Sequence, residues 1–366
     1  MRYEEKDLVR IAKRENNNKR SYLVVDPLQG KHVPVSPFKA LTLFSSLADK
    51  VREAYSEEKL LLVGFAETAT AIGAEIAVCL GAKYIQTTRE VIEGVEYLYF
   101  SEEHSHATEQ KLVKDDIDAV IDDIDRIVFA EDEVTTGKTI LNIIDRIEQY
   151  YPGKVKFSVA SLLNGMSKEH LAQYEERKIN LHYLVKTSHE KYEKLAAEIE
   201  ENGKYHACMP EKTDTFQVME LSGYLNARRL TDAGMYEEAC GKLWQQVSEK
   251  IGNVRGEHIL VLGTEEFMYP AIYLGAKLEE MGNDCLCHAT TRSPIAVSSE
   301  ETYPLHERYE LKSLYDSNRR TFLYDIGEYD RVYVVTDAPE RKGEGIYNLV
   351  NALYTKNKNI ILIRWC

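Results

Sequence analysis

The sequence lacks any long uninterrupted apolar run, and its N-terminus lacks the features of a secretory signal. A membrane-spanning helix needs about 20 consecutive, mainly apolar residues, and no window of the 366 residues supplies them. The opening stretch "MRYEEKDLVRIAKRENNNKR" is too charged for the apolar region of a signal peptide. These absences predict a cytoplasmic protein that does not enter a membrane.

Cysteines are few and scattered. Of the six, only Cys285 and Cys287 lie close together. Their segment "DCLCHAT" alternates as a strand does, and a metal site would need a second pair of ligands. The sequence therefore predicts a buried strand with reduced thiols, which fits a reducing compartment.

Positive charge is also in deficit, since the formal net charge is −14. A surface this acidic repels nucleic-acid phosphate and anionic lipid, so any phosphate-bearing ligand has to be held by a local site. Nucleic acid is not an expected partner. An RNA-binding regulator is disfavoured for the same reason, although the segment up to about Pro37 is locally basic.

What the sequence does contain is a regular alternation of apolar strands and amphipathic helices from residue 38 onward. This pattern predicts an α/β fold with a mostly parallel sheet covered on both faces. The length favours two or three domains. We predict a small irregular or β-rich cap at 1–37, a first α/β domain at 38–200 and a second at 201–366, where the pattern lapses and then resumes.

The second half of the sequence repeats the order of the first. "HILVLGTEEFMYP" and "TTRSP" follow one another as "LLLVGFAETATAIG" and "TTRE" do. A spacing of 43 residues separates Arg89 from Asp132, and 45 separate Arg292 from Asp337. The similar spacing predicts a duplicated architecture whose second copy is degenerate.

The segment "FAEDEVTTGKT" is the most informative in the chain. We predict a strand at 127–130 that ends on Glu131 and Asp132, followed by a loop that opens a helix. One apolar stripe of that helix consists of Ile140, Ile143, Ile144 and Ile147. Ligands bind at the carboxyl ends of parallel strands, and such a loop offers backbone N–H groups, hydroxyls and a helix dipole to a phosphate. The loop consists of Thr135, Thr136, Gly137, Lys138 and Thr139.

The two acids call for a different part of the ligand. Ionised carboxylates only accept hydrogen bonds, so they suit a vicinal diol, and they could stabilise positive charge on a sugar ring as its anomeric bond breaks. Diol and phosphate together describe a ribose 5-phosphate. The plainer alternative is a threonine-capped helix N-terminus with dipole-matching acids. A Walker A loop is excluded, because Asp132 stands where that motif needs glycine.

"IVFAEDEVTTGKT" resembles the phosphoribosyl pyrophosphate (PRPP) motif of type I, orotate phosphoribosyltransferase-like enzymes, and the likeness covers about 55–165. It implies their doubly wound fold, with Glu131 and Asp132 as the catalytic carboxylates and 135–139 as the 5-phosphate site. It also implies Mg²⁺, held mainly through ligand oxygens with the two acids as candidate protein ligands. Glu131 in place of the usual Asp, and Lys138 in place of a small residue, depart from the motif.

The same resemblance implies a pyrophosphate site. "GFAETATAIG" at 64–73 corresponds to the family's pyrophosphate loop, with Glu67, Thr68 and Ala69 at the turn, although most of the usual glycines are missing. Arg89 would contact pyrophosphate as well. A solvated arginine at a strand end is an equally common reading.

"SEEHSHATEQKLV" at 101–113 is polar and without periodicity, which predicts a mobile loop. Its first eleven residues, "SEEHSHATEQK", stand at the position of the family's mobile catalytic loop. The resemblance implies that His104, His106 and Lys111 close over the pyrophosphate. Paired histidines could also mark a plain surface loop or a metal site, and for a metal site the third ligand is missing.

Over most of its length the chain is similar to phosphoribosyltransferases with a C-terminal TRSP domain, which are associated with tellurite-resistance gene clusters. "RENNNKR", "GKHVP" and "ATTRSP" carry this likeness. Thr291, Arg292 and Ser293 form a second anion-binding candidate, facing a turn at 264–266. PRPP is not expected there, because "APERKGEG" replaces the threonine loop. Another phosphorylated or acidic ligand, or packing alone, are the two alternatives.

The expected function is a phosphoribosyltransferase that makes or breaks an N-glycosidic bond at ribose C1. It would use PRPP, or act on a ribonucleotide, with Mg²⁺ and an unidentified base or acceptor, in the synthesis of a nucleoside-like metabolite. A homodimer is usual in the resembled family. The alternative is a regulatory protein that senses PRPP or a nucleotide without turnover, which the glycine-poor turn at 64–69 keeps open.

Overall fold

The structure is a computed structural model that describes residues 2–15, 20–101, 110–207, 216–340 and 343–366. His104 and His106 lie outside the described residues. Among the described residues, no helix is both long and apolar enough to cross a membrane.

Strands and helices alternate through most of the described chain. The strands are β1 (Arg10–Lys13), β2 (Tyr22–Val25), β3 (Leu60–Gly64), β4 (Lys83–Gln86), β5 (Tyr97–Phe100), β6 (Gln110–Val113), β7 (Arg126–Val134), β8 (Lys156–Asn164), β9 (Asn180–Lys186), β10 (Lys204–Ala207), β11 (Gln217–Leu221), β12 (Thr231–Asp232), β13 (His258–Gly263), β14 (Asp284–Ala289), β15 (Glu307–Lys312), β16 (Arg320–Tyr324), β17 (Arg331–Thr336) and β18 (Ile360–Trp365). The helices are α1 (Glu5–Leu8), α2 (Pro37–Tyr55), α3 (Thr70–Leu80), α4 (Lys114–Val120), α5 (Lys138–Tyr150), α6 (Lys168–Glu176), α7 (Tyr192–Ala197), α8 (Ala233–Ile251), α9 (Tyr269–Glu280) and α10 (Glu344–Tyr354), with a 3₁₀ turn at His189–Lys191.

The chain divides into two compact units, each built from separate stretches. The first unit comprises Met1–Glu5, Thr42–Ser188 and Leu225–Glu238, and the second comprises Lys6–Leu41, His189–Tyr224 and Ala239–Cys366. This grouping places most of the N-terminal segment with the C-terminal half. The linear division at residues 38 and 201 therefore stays a prediction.

The first unit holds a six-stranded sheet in the order β12-β4-β3-β7-β8-β9. All pairs are parallel except the short antiparallel pair of β12 with β4. Every residue of β3 is buried, as is every residue of β8 after its first. Strands buried at successive positions are covered on both faces, so the predicted α/β class is confirmed.

The second unit holds a five-stranded parallel sheet in the order β11-β18-β17-β13-β14. In both units the first strand of the repeat lies between the second and the third, followed by the fourth: β4-β3-β7-β8 and β14-β13-β17-β18. The two halves thus share one strand order, as the sequence repeat predicted. Cys285 and Cys287 are buried and free on β14, as predicted.

Local boundaries follow the predictions with two corrections. The stripe of Ile140, Ile143, Ile144 and Ile147 on α5 is buried, as the helical spacing indicated. However, β7 continues to Val134, because Glu131 and Glu133 still pair with β8. The predicted loop at 101–113 also ends earlier, because its last four residues form β6 and pair with β5.

Candidate functional site

Three neighbouring parallel strands of the first unit end at the same edge of their sheet. The turn at 64–69 follows β3, residues 87–90 follow β4, and β7 leads through 131–137 into α5. We call these three segments the first carboxyl edge. Ligands of open α/β sheets bind at this end of the strands, and most of the predicted site residues lie there.

The acids form the last part of β7. Glu131 and Asp132 are half-buried, and Asp132 accepts hydrogen bonds from the hydroxyl of Thr68 and from the amide of Glu133, the latter at 2.9 Å. Burial raises the pKa of Asp132, and the negative charge of Glu133 raises it further, whereas these hydrogen bonds act in the opposite direction. The contact with Thr68 joins the turn at 64–69 to the acids.

The threonine loop turns through Gly137, which has φ +74° and precedes the first residue of α5. Its carbonyl accepts from the hydroxyl of Tyr174 at 2.7 Å and from the amide of Leu141 at 3.0 Å. A Cβ at this position would lie 2.3 Å from the Tyr174 hydroxyl oxygen. Glycine is required here by both the left-handed backbone and this close approach.

The residues around the start of α5 are three threonines and a lysine. Thr135, Thr136 and Thr139 are half-buried, and Lys138 is exposed. The amide of Lys138 lies 3.3 Å from Thr136 Oγ1, and the first turn of the helix carries no acidic residue. A helix N-terminus of this kind favours negative charge.

The turn at 64–69 is held by side chains of other segments. The amide of Ala66 donates to Thr87 Oγ1 at 2.9 Å, and the Thr87 hydroxyl donates to Gln110 Oε1 at 2.5 Å. The side-chain amide of Gln110 donates to the carbonyl of Ala66 at 2.7 Å. Three hydrogen bonds therefore close a ring around Ala66, which precedes a cis peptide bond to Glu67.

The predicted residues of this turn differ in what they can offer. Glu67 is buried, and Thr68 is half-buried beside Asp132. Ala69 is buried, and its amide donates to the carbonyl of Phe65 at 2.9 Å. The amide of Ala69 is therefore already bonded within the turn.

Arg89 and Lys111 lie on two segments that pair with each other. Thr88 and Lys111 exchange backbone hydrogen bonds of 2.9 and 3.1 Å, and half-buried Arg89 follows directly. Lys111 belongs to β6, is buried, and has its ammonium 4.8 Å from the centre of the Tyr97 ring. The prediction that Lys111 lies on a mobile loop is wrong, because strand pairing with β5 fixes it.

In the second unit, the turn after β13, residues 290–293 after β14, and residues 337–340 after β17 form the second carboxyl edge. The amide of Glu265 donates to Thr290 Oγ1 at 3.0 Å, as the amide of Ala66 does to Thr87 in the first unit. The two turns thus begin with the same contact.

The next residues match as well. Thr291 and Phe322 exchange backbone hydrogen bonds of 2.9 and 2.7 Å, as Thr88 and Lys111 do. The residues after these threonines, Arg292 and Arg89, therefore occupy equivalent positions in the two units.

Side chains distinguish the second carboxyl edge from the first. Glu265 is buried, and its carboxylate binds Arg292 at 2.7 Å, Arg319 at 3.0 Å and the hydroxyl of Ser313. Arg292 also lies 3.7 Å from the Glu266 carboxylate. The predicted grouping of residues 264–266 with Arg292 is present, and the cation is already paired with acids of its own chain.

The other predicted residues of this motif hold the backbone. Thr291 is buried and its hydroxyl accepts from the amide of Ser293 at 3.2 Å. The carbonyl of Ser293 accepts from the hydroxyl of Tyr324 at 2.8 Å. Both contacts stabilise the end of β14.

Asp337 takes the place of Asp132. Asp337 lies two residues beyond Val335, which pairs with Gly263. Asp132 lies two residues beyond Ala130, which pairs with Gly64. The carboxylate of Asp337 accepts hydrogen bonds from two tyrosine hydroxyls at 2.7 and 2.6 Å. They belong to Tyr315 and Tyr224.

Two models of known protein families match the sequence. Residues 8–192 match the family model described as phosphoribosyl transferase, and residues 229–353 match the model of the TRSP domain that lies C-terminal to it. The chain belongs to this phosphoribosyl transferase family. No curated protein sequence matches it significantly.

Solved structures similar to this phosphoribosyl transferase include adenine phosphoribosyltransferases. That of Rhodothermus marinus is 17% identical and has a TM-score of 0.35, over 50% of this chain and 96% of its own. That of Thermoanaerobacter pseudethanolicus is 16% identical with a TM-score of 0.36, over 50% and 97%.

Sequence patterns did not single out three residues that support the first carboxyl edge: Thr87, Gln110 and Tyr174. Thr87 is the first residue of "TTRE", two positions before Arg89, so that motif was a usable signal. Gln110 lies in "SEEHSHATEQK" but was not among its candidate residues, and Tyr174 lies outside any motif. Their contacts with Ala66 and Gly137 span 44 and 37 residues.

Proposed function

We propose that this phosphoribosyl transferase forms or cleaves an N-glycosidic bond at ribose C1, with PRPP as the phosphoribosyl donor and Mg²⁺ as the cofactor. The observation that carries the proposal is the arrangement at the first carboxyl edge. The short connection 135–137 joins β7, which carries Asp132, to the N-terminus of α5. All of these residues lie within the segment that matches the family. A carboxylate and an anion site so placed suit the two ends of a ribose 5-phosphate.

The 5-phosphate would lie at 135–139. Backbone N–H groups at the start of α5 and the threonine hydroxyls would donate to its oxygens, and Lys138 would add a positive charge. Gly137 supports this proposal, because its left-handed conformation and its bond from Tyr174 fix where α5 begins.

The carboxylates of Glu131 and Asp132 would accept hydrogen bonds from the ribose hydroxyls. As the C1–O bond to pyrophosphate breaks, positive charge develops on the ring, and the nearby carboxylates stabilise it. The acceptor's nitrogen attacks C1, and the electron pair of the broken bond leaves with pyrophosphate. Glu67, Thr68 and Arg89 are the proposed contacts of that leaving group.

The residues present fit Mg²⁺ bound largely through the substrate. Among the described residues, no group of three or more His, Cys, Asp or Glu could hold a metal ion by itself. Mg²⁺ commonly binds through one or two carboxylates together with water and phosphate oxygens, and Glu131 and Asp132 could supply the former. Bound there, it would neutralise part of the pyrophosphate charge.

The test is calorimetric titration of PRPP with Mg²⁺ into the wild type, Asp132→Asn and the matched control Asp337→Asn. Loss of charge-assisted hydrogen bonds should weaken binding to Asp132→Asn about 100-fold. Asp337→Asn changes the equivalent position of the second unit and should bind as the wild type does. Pyrophosphate release would then be assayed with a panel of bases.

Each outcome has a distinct meaning. Absence of binding to the wild type would refute the proposal and leave "EDEVTTGKT" as a capped helix N-terminus. Binding without pyrophosphate release for any acceptor would instead favour a sensor of PRPP or nucleotides. An equal loss in both variants would show that the ligand does not lie specifically at the first carboxyl edge.

A further inference from the structure

Gln110 is the first residue of β6 and pairs with Phe100 of β5. Its side chain is 3% exposed, so its amide has left water and needs protein partners. It has them at the turn 64–69, where it donates to the carbonyl of Ala66 and accepts from the hydroxyl of Thr87. The orientation of the Gln110 side-chain amide is fixed, because the Ala66 carbonyl oxygen can only accept and therefore faces the NH2 group.

The result is that both polar backbone groups of Ala66 are bound by side chains. The N–H donates to Thr87, the C=O accepts from Gln110, and Thr87 and Gln110 are joined to each other. Closed sets of this kind hold a unique geometry, because breaking one bond leaves a buried group without its partner. The direction of the following residues, Glu67 and Thr68, is set by this ring.

The second unit holds the equivalent turn in a different way. There the amide of Glu265 donates to Thr290, but the carbonyl of Glu265 accepts from Lys31 Nζ at 2.7 Å. The position equivalent to Gln110 is Thr321, which is buried and too short to reach the turn, and whose hydroxyl has no hydrogen-bond partner in the described chain. A side-chain donor to this carbonyl is thus present in both units, from unrelated parts of the sequence.

We propose that Gln110 is a positioning residue for pyrophosphate. It acts through Ala66 and Thr87, fixing the backbone of the turn at 64–69 that is proposed to bind the leaving group of PRPP, and it does not touch the ligand itself. This inference rests on the proposed function. It assigns a role to a side chain that was not among the predicted site residues.

The test uses Gln110→Met, which keeps the length and removes both hydrogen bonds, and Gln110→Glu, which keeps only the bond from Thr87. Binding of pyrophosphate with Mg²⁺ and of ribose 5-phosphate is measured separately by titration calorimetry. We expect the pyrophosphate Kd to rise about tenfold in both variants, because both lose the donor to the Ala66 carbonyl and one hydrogen bond of about 1.4 kcal/mol corresponds to a tenfold change. The ribose 5-phosphate Kd should stay within about twofold of the wild type.

Two variants of Thr87 control for misfolding caused by the substitutions of Gln110. Thr87→Ser keeps the hydroxyl and should bind pyrophosphate as the wild type does, whereas Thr87→Val removes it and should bind as weakly as Gln110→Met. Lys31→Met is the matched control in the second unit, where the same carbonyl contact is removed. It should lower the stability of that unit and leave both affinities unchanged.

The outcomes distinguish a failure of this inference from a failure of the proposed function. If the wild type binds neither pyrophosphate nor ribose 5-phosphate, the proposed function and the inference both fail. If it binds both, and the Gln110 and Thr87→Val variants lose the two affinities equally or lose neither, the inference alone is overturned. A selective loss of pyrophosphate, restored in Thr87→Ser, supports it.

Discussion

The two carboxyl edges share their backbone hydrogen bonds and differ in the charged side chains that the turns carry. Both turns begin with an amide bound to a threonine hydroxyl, and both are followed by an arginine at the same place. In the first unit the turn residue is Ala66, which brings no charge. In the second it is Glu265, whose buried carboxylate pairs with that arginine. The same turn position is therefore neutral in the first unit and carries a buried, paired carboxylate in the second.

The acids on the third strand show the same contrast. Asp132 is held by Thr68 and a backbone amide, whereas Asp337 accepts from Tyr315 and Tyr224. Tyrosine hydroxyls bind Asp337 at the place where the first unit is proposed to bind a diol. The second carboxyl edge is accordingly rich in internal partners, and fold alone does not transfer a ligand from one copy to the other.

The largest expected effect comes from removing the acid that distinguishes the two turns. Glu265→Ala leaves Arg292 and Arg319 without their shared carboxylate, and breaking a buried pair from one side costs about 3–5 kcal/mol. We expect this loss in the free energy of unfolding of the second unit, measured by chemical denaturation. PRPP binding to the folded protein should be unchanged.

The matched control is Glu280→Ala. Glu280 pairs with Lys277 on the same unit, but the Glu280 side chain is 64% exposed, and surface pairs of this kind contribute at most about 1 kcal/mol. A similar small loss for Glu265→Ala would contradict the view that this carboxylate holds the second carboxyl edge together.

A second prediction concerns acid. His288 on β14 is buried, and burial lowers its pKa to about 3, helped by the nearby charge of Lys31. The unfolded chain takes up a proton at the ordinary value near 6.5 and the folded chain does not, so stability is lost as the pH falls between these values. From pH 7 to pH 5 the loss from this group is about 2 kcal/mol.

Chemical denaturation of the wild type and of His288→Gln at pH 7 and at pH 5 measures this contribution to the free energy of unfolding. The variant should lose about 2 kcal/mol less than the wild type on acidification. An equal loss of stability on acidification in the two proteins would show that His288 is not kept neutral by burial.

Sequence patterns predicted the parts of this contrast that are local. The period of α5, the strand-helix-strand order around Gly64 and the repeat of that order in the second half follow from short-range spacing. The repeat also located Arg89 and Arg292 at matching positions. Those predictions succeed because strand and helix periods are properties of a few neighbouring residues.

Long-range partners could not be predicted in this way. Lys31 reaches the turn at Glu265, 234 residues away, and Gln110 reaches Ala66 across 44 residues. The end of β7 depended on pairing with β8, and β6 is only four residues long. None of these contacts leaves a period in the sequence, because each depends on which strands become neighbours.

The smallest predicted effect compares the glycines that precede α5 and α10. Gly137 has φ +74°, and a Cβ there would meet the buried Tyr174 hydroxyl. Gly343 has φ −147°, which any residue adopts, and its nearest neighbour is the exposed side chain of Glu340. Gly137→Ala should therefore lower the free energy of unfolding by about 1–2 kcal/mol, and Gly343→Ala by less than about 0.5 kcal/mol.

Ligand binding sharpens this last comparison. If the start of α5 holds the 5-phosphate, Gly137→Ala should also weaken ribose 5-phosphate binding, because the substituted residue must move either Tyr174 or the loop. Gly343→Ala should leave that affinity unchanged, since α10 begins with Glu344 in its first turn, and a carboxylate there opposes an anion. Titration of ribose 5-phosphate into both variants measures the difference. Equal affinities would mean that the geometry of Gly137 serves the fold of the first unit and not its ligand.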